Sequence, residues 1–176
     1  MKVARPVRRA GRRNPPGESR TRALRLDPYI MGRGHRRAIG TLVERTSRFV
    51  LLVDLIDGYP TQRVCERVRR RLLELPLELR RTLTWDQGTE MSGHAQFTLD
   101  SGMPVYFCEP RSPWQRPTNE NTNGLLREYF LKGEDLGHVT PAELARVEHE
   151  LNNRPRRTLQ WLTPAQRLAE LVALIP

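Results

Sequence analysis

Two carboxylates stand out by what surrounds them. Asp86 closes the run L-T-W, which reads as a short apolar strand, and Glu120 lies in the polar segment T-N-E-N-T-N-G that opens a helix, with 33 residues between the two. Carboxylates held on rigid elements are the ligands that hard, oxygen-liking cations such as Mg²⁺ and Mn²⁺ require. Two such ions about 4 Å apart neutralise charge on both the attacking and the leaving oxygen of a phosphodiester, so that chemistry needs little covalent help from protein. An Asp at a strand end is common in α/β proteins, however, and the pair alone does not fix the reaction.

The elements that must hold these residues follow from periodicity. Ala38 to Leu55 reads as two strands, A-I-G-T-L-V-E-R and R-F-V-L-L-V-D-L, joined by a short polar turn and therefore antiparallel. Val50 to Val53 is apolar on both faces, as in a strand covered on both sides. Thr61 to Leu75 has Val64, Val68 and Leu72 at four-residue spacing and predicts an amphipathic helix stopped by Pro76, with Arg69, Arg70 and Arg71 on a solvated face. A strand over Arg81 to Trp85, a helix near Ser92 to Asp100 and a strand over Pro104 to Cys108 predict parallel strands in an α/β layer. Glu120 then starts a helix running through Leu125, Leu126, Tyr129 and Phe130. Two capping boxes, Thr140 with Glu143 and Thr163 with Gln166, open C-terminal helices separated by Asn152-Asn153-Arg154-Pro155.

The chain of 176 residues has room for one ordinary domain. It shows no apolar run of the ~20 residues that a membrane helix needs, so a cytoplasmic protein with no membrane partner is expected. Cys65 and Cys108 lack C-x-x-C spacing and read as two small buried thiols in a reducing compartment, and the four histidines form no ligand pattern. Net charge is +10, all of it in residues 1 to 37, which hold twelve Lys/Arg against two acids. A basic arm on a neutral body favours a polyanion such as nucleic acid. Residues 1 to 29 are rich in Arg, Pro, Gly and Ala without any period and are expected to be disordered, with the folded unit over 30 to 176.

From about Ile30 to Leu171 the chain resembles the catalytic core of DDE transposases of the IS-thirty type of bacterial insertion sequences. The stretches that carry the resemblance are G-R-G-H-R-R-A-I-G-T-L-V-E-R-T-S-R-F-V, L-T-W-D-Q-G-T-E-M, V-Y-F-C-E-P-R-S-P-W-Q-R, T-N-E-N-T-N-G-L-L-R and N-N-R-P-R-R-T-L, in the family's order and with its Asp-to-Glu spacing. The resemblance implies an RNase H-like integrase core, a mixed sheet flanked by helices with further helices at the C-terminus. It also implies a bacterial, nucleoid-associated protein that binds double-stranded DNA, the element ends and the target, as a homo-oligomer. Two Mg²⁺ or Mn²⁺ ions are implied, with a hydrolytic nick that frees a 3′-OH and an attack of that 3′-OH on a target strand. Asp86 matches the second metal-binding Asp and Glu120 the metal-binding Glu. Asn123 and Arg127 match polar positions after the Glu, and Arg127, seven residues on, shares its helix face. Gln115 and Arg116, with Trp114, fall in the loop before that helix, where DNA contacts are expected, whereas Glu44 and Arg45 are expected to order the hairpin.

Three departures qualify the match. The family's first Asp lies four residues ahead of the Gly that begins G-x-G-H, and counting back from Gly32 reaches Pro28 instead. Asp27 is one residue further away, where a one-residue slip turns a side chain to the opposite face, and Pro is poorly tolerated in a central strand. The third carboxylate is therefore expected to be displaced or missing, and Asp54 does not replace it. Pro117 stands where the family usually has Gly. Residues 1 to 29 lack both the family's W-E-G and its helix-turn-helix, and read as a frameshifted or remnant leader. A non-catalytic DNA-binding or dimerising remnant and a basic RNA-associated protein are the competing readings.

Overall fold

The computed structural model describes residues 23–31, 37–55, 61–85, 93–108, 117–131 and 133–174, with 23–31, 61 and 117–120 as backbone alone. Five strands form one mixed sheet: β1 (Ala23–Met31), β2 (Ala38–Glu44), β3 (Val50–Asp54), β4 (Thr82–Trp85) and β5 (Val105–Phe107), in the order β3-β2-β1-β4-β5. The hairpin β2–β3 and the pair β1–β2 are antiparallel, whereas β4 runs parallel to both β1 and β5. Among the described residues helices α1 (Thr61–Leu72), α2 (His94–Ser101), α3 (Pro117–Leu126), α4 (Pro141–Asn153) and α5 (Pro164–Ala173), with short 3-10 turns at Leu77–Leu79, Leu136–His138 and Arg157–Leu159, complete the element order.

Strand alternation divides the apolar residues between two layers. From β2 and β3, Leu42, Leu51 and Val53 bury against Val64, Val68 and Leu72 of α1 and Phe97 of α2. Ile39, Val43, Val50 and Leu52 bury on the other face against Leu126 from α3 and Leu144, Val147 and Leu151 from α4. Each such side chain removed from water contributes roughly 1.5–3 kcal/mol. A sheet packed on both faces explains why Val50 to Val53 carries no polar residue. Helix α4, expected as part of a C-terminal extension, is thus one of the walls of the core.

Strand β3 lies at the sheet edge, where unpaired backbone groups invite another chain. Side chains close it. Asn152 accepts from the Val50 N–H and donates to the Val50 carbonyl, both at 2.8 Å. Glu148 accepts from the Leu52 N–H at 2.6 Å, Arg71 donates to the Leu52 carbonyl at 3.0 Å, and Arg67 donates to the Asp54 carbonyl at 2.6 Å. Arg71 also pairs with Glu148 at 2.5 Å. The arginine run on α1 is therefore not a solvated face throughout, because Arg71 is drawn in by a strand carbonyl and a carboxylate.

Several expected boundaries shift for local reasons. Helix α1 ends at Leu72 rather than Leu75, and the turn that follows tightens into i→i−3 bonds, Glu74 N–H to Arg71 and Leu75 N–H to Leu72. The Thr163–Gln166 capping box is complete. At Thr140 only the hydroxyl half forms, because the Glu143 carboxylate is taken by Arg146. Asn152 and Asn153 remain inside α4, which breaks at Arg154. Cys108 is buried as expected, while Cys65 is half-buried and burial pushes its thiol up. No helix among the described residues is long and apolar enough to cross a membrane.

Candidate active site

The sheet is built around β1, which lies between β2 and β4 and begins at Ala23, so the boundary expected at residue 30 falls inside a strand. Alternating Leu24 and Leu26 supply enough apolar character to extend the ladder back past the Arg-rich segment. Residues 1–22 lie outside the described residues.

The registry of β1 bears on the position of Asp27 in the ladder. Asp27 stands opposite Thr41 and Ile30 stands opposite Ile39, so three steps along β1 match two along β2. This is a β-bulge carrying one extra residue at Pro28–Tyr29. A proline has no N–H to give to a ladder, and a bulge is where a central strand tolerates one. The extra residue that separates Asp27 from Gly32 is thus taken up by the bulge. Position 27 keeps the ladder parity of Arg25, Thr41 and Val43, on the side where Val43 packs with α3 and α4.

Strand β4 lies beside β1. Leu24 pairs with Leu83 and Arg25 with Thr84, and β4 ends at Trp85, whose carbonyl accepts from the Cys108 N–H at 3.0 Å. Asp86 comes next in the chain and lies outside the described residues, as do Trp114, Gln115 and Arg116. Helix α3 packs on β1 and β2, and Glu120 is its fourth residue. Pro117 is its first, where a fixed φ and a missing donor suit the helix, so replacing Gly there does not obstruct it. Position 27 thus lies on β1 and position 120 on the helix packed against it, while Asp86 follows the last residue of β4 in sequence and lies outside the described residues. Among the described side chains no group of three His, Cys, Asp or Glu residues has metal-binding proximity. The nominated set is all oxygen, the donor type suited to Mg²⁺ or Mn²⁺.

The remaining polar residues separate by environment. Asn123, one turn after Glu120, is half-buried with its Oδ1 closed to solvent. Helix α3 ends at Leu126, so Arg127 stands in the turn just beyond it, its N–H still bonded to the Asn123 carbonyl at 3.1 Å. Its side chain is exposed and makes no ion pair among the described residues, the neighbouring Glu128 being held by Arg154 at 2.9 Å. Asp54 faces Arg67 at 3.8 Å. Glu44, fully buried, accepts from the Thr46 N–H at 3.0 Å and from the N–H and hydroxyl of Ser47 at 2.6 Å each, so it orders the hairpin as expected.

Thr41 was not apparent from the sequence. It is fully buried, and its Oγ1 has no hydrogen-bond partner among the described residues. The signal was a lone hydroxyl between Ile39 and Val43 on the apolar parity of β2, which a Thr in a strand easily conceals.

The chain is 49% identical over 144 residues to the transposase for insertion sequence element IS1086 of Cupriavidus metallidurans, which covers 82% of this chain and 42% of that protein. It is 49% identical over 136 residues to transposase InsI for insertion sequence element IS30A of Escherichia coli K12, covering 77% of this chain and 35% of that one. The transposase for IS4351 of Bacteroides fragilis is 34% identical over 145 residues, covering 81% and 43%. The chain thus spans about two fifths or less of the length of these relatives. No protein-family profile matches it. In fold it is similar to the catalytic core domain of BIV integrase, with a TM-score of 0.65 at 16% identity, over 87% of this chain and 97% of that one. Over the matched residues the chain is thus similar to transposases of insertion-sequence elements, and its fold is that of an integrase catalytic core.

Proposed function

We propose that this chain is the strand-cutting and strand-joining core of a DNA transposase, and that Asp27, Asp86 and Glu120 are its three catalytic carboxylates. The observation that carries the reading is the bulge at Pro28–Tyr29, which keeps Asp27 in register with Thr41 despite the extra residue. Continuing the Arg25–Thr84 register by two residues would set position 27 beside position 86, with Glu120 on the helix packed over β1. That supports one acidic cluster rather than two corners of a broken one. Divalent Mg²⁺ or Mn²⁺, two ions by family, would neutralise charge on the attacking and leaving oxygens when bound there.

The residues of the chain then have distinct tasks. The three carboxylates would hold the divalent cations, whose positive charge offsets the repulsion between these acids and a phosphate. The exposed guanidinium of Arg127, just past α3, holds a backbone phosphate of the element end and fixes its register. Gln115 and Arg116, just ahead of the same helix in sequence, and Asn123 within it are proposed to contact DNA. In the first reaction water attacks a phosphodiester at the element end, the P–O3′ bond breaks and a 3′-OH leaves. In the second, that 3′ oxygen attacks a target phosphodiester, a new P–O3′ bond forms and the target's own 3′ oxygen leaves. No covalent enzyme intermediate is needed. Working on two ends favours a homo-oligomer, and the substrate is bacterial chromosomal DNA in the cytoplasm.

The test is nicking of duplexes carrying the element's terminal sequence, with and without Mg²⁺ or Mn²⁺. Metal-dependent nicking should be lost in Asp86→Ala, Glu120→Ala and Asp27→Ala alike. Full activity in Asp27→Ala would remove the first carboxylate from this assignment. A chain that shifts DNA on a gel but never nicks it would be a non-catalytic DNA-binding remnant, and the enzyme reading would fail.

A further inference from the structure

The turn that joins α4 to α5 closes on itself. The Arg156 N–H bonds to the Leu162 carbonyl at 3.1 Å and the Trp161 N–H to the Arg156 carbonyl at 3.0 Å. Leu159 between them is buried, the Arg156 side chain donates to the Leu151 carbonyl of α4 at 3.3 Å, and the capping box at Thr163 fixes the exit into α5. On this support Trp161 is 71% exposed, the one aromatic among the exposed large apolar side chains of the described residues. Its backbone is left-handed, with φ of 69°, directly after Gln160 with φ of 56°. Two consecutive residues with side chains are unfavourable in that region, a bulky one most of all, and Gly would take either position without the steric cost. Neither packing nor backbone preference accounts for a Trp at this place, and backbone strain of this kind collects at binding sites.

The surrounding charge indicates what the ring meets. Residues 151–169 hold four arginines and no acid. Arg167 is taken by Glu170 at 2.6 Å and Arg154 by Glu128 at 2.9 Å, whereas Arg157 is exposed and makes no ion pair among the described residues. Burial, and then the like charge of Arg154, push the Arg156 guanidinium down, so positive charge here exceeds its counter-charge. The Arg154–Glu128 pair also joins this turn to the one after α3, where the exposed Arg127 precedes Glu128. Trp and Arg anchor protein interfaces too, but a stretch without a single carboxylate complements a polyanion. In a duplex the base faces are stacked and only edges show in the grooves, so an indole face suits an unpaired base, with guanidinium groups on the phosphates beside it.

We propose that the turn over 154–161 is a docking site for an unpaired DNA strand, with Trp161 stacking on a base and Arg157 holding an adjacent phosphate. The proposal rests on the reading of the chain as a DNA-processing core for its class of ligand, and on none of the three carboxylates. A nicked element end, where one strand can leave the duplex, presents such a base.

The experiment measures binding of a short labelled oligonucleotide, single-stranded or as a blunt duplex, by fluorescence anisotropy to wild type, Trp161→Ala, Trp161→Phe and Arg157→Gln. Trp161→Ala should melt as wild type does, bind the single strand about tenfold or more weakly, and bind the duplex within about threefold of wild type. Trp161→Phe keeps a ring and should bind the single strand within about threefold, while the quenching of tryptophan emission that the strand causes in wild type falls away. Arg157→Gln should lower the slope of log affinity against log salt by about 0.7, the loss of one phosphate contact. Trp161→Ala binding the single strand as wild type does, or losing both DNA forms equally, overturns the proposal. So does a loss of self-association in sedimentation with DNA binding unchanged, which would make the turn a protein interface. Should Trp161→Ala fail to fold, Trp161→Phe decides: quenching that persists unchanged in it refutes the stacking. Metal-dependent nicking that stands while Trp161 proves irrelevant to single-strand binding overturns this proposal alone. Single-strand binding through Trp161 in a chain that never nicks supports the docking site and removes the catalytic reading. A wild type that binds neither DNA form overturns both.

Discussion

Asn152→Ala is expected to be the most damaging single truncation outside the apolar core. The side chain is 4% exposed and closes both backbone groups of Val50 at 2.8 Å, joining the last turn of α4 to the edge strand 102 residues away. Truncation leaves a buried N–H and a buried carbonyl without partners. Each such loss costs about 1–3 kcal/mol, and water entering the gap at the sheet edge returns part of it, so a total of about 2–4 kcal/mol is expected. Against a typical stability of about 5–15 kcal/mol, that is a large fraction.

Urea unfolding followed by fluorescence and far-UV circular dichroism measures the change as a shift in midpoint at constant slope. Asn153→Ala is the control, since its exposed side chain donates to the His149 carbonyl within its own helix, and its loss should stay within about 0.5 kcal/mol. Asn152→Asp should be no better than alanine, because a carboxylate cannot donate to the Val50 carbonyl and adds a buried charge. With the edge opened, the alanine variant should also self-associate more at high concentration, visible by sedimentation velocity. If Asn152→Ala were no more destabilising than Asn153→Ala, the clamp would be incidental and the edge would have to be protected by packing alone.

Deleting Pro28 should remove the bulge and let Tyr29 follow Asp27 in an uninterrupted ladder with β2. Stability should be unchanged or higher by about 1 kcal/mol, with metal-dependent nicking retained, whereas collapse of both would show that the extra residue is required. Glu44→Gln replaces one acceptor oxygen in a buried network of backbone and hydroxyl donors by an amide that cannot accept, and should cost about 1–3 kcal/mol in urea unfolding without altering metal affinity. Thr163→Ala removes the hydroxyl half of the capping box opening α5 and should cost about 1 kcal/mol; an effect below a few tenths would mean that α5 is held by packing alone.

Legibility in the sequence tracked how local the cause was. The hairpin, α1, the parallel β4–β5 pair and the capped helices follow from patterns within ten or so residues, and each lies within a few residues of its expected bounds. Arg71 was misjudged as solvated because its partners, Leu52 and Glu148, come from other elements. Asn152 read as part of a chain break for the same reason, its partner being a strand edge about a hundred residues earlier. The acid positions were legible as residue types on predicted elements, since a carboxylate after an apolar run and another in a helix start are local features. What no local pattern conveys is ladder registry.

Counting residues from Gly32 treats a strand as rigid and turns a one-residue insertion into a flipped face. A proline, however, both causes and marks the remedy. Lacking an N–H, Pro28 has only its carbonyl to offer the regular ladder, so a bulge that removes it from the pairing forfeits less there than at a residue with both groups. The insertion and its accommodation therefore occur at the same place, and the strand resumes with Ile30 opposite Ile39. A proline one residue beyond an expected catalytic acid is thus a reason to look for a bulge before concluding that the acid is lost.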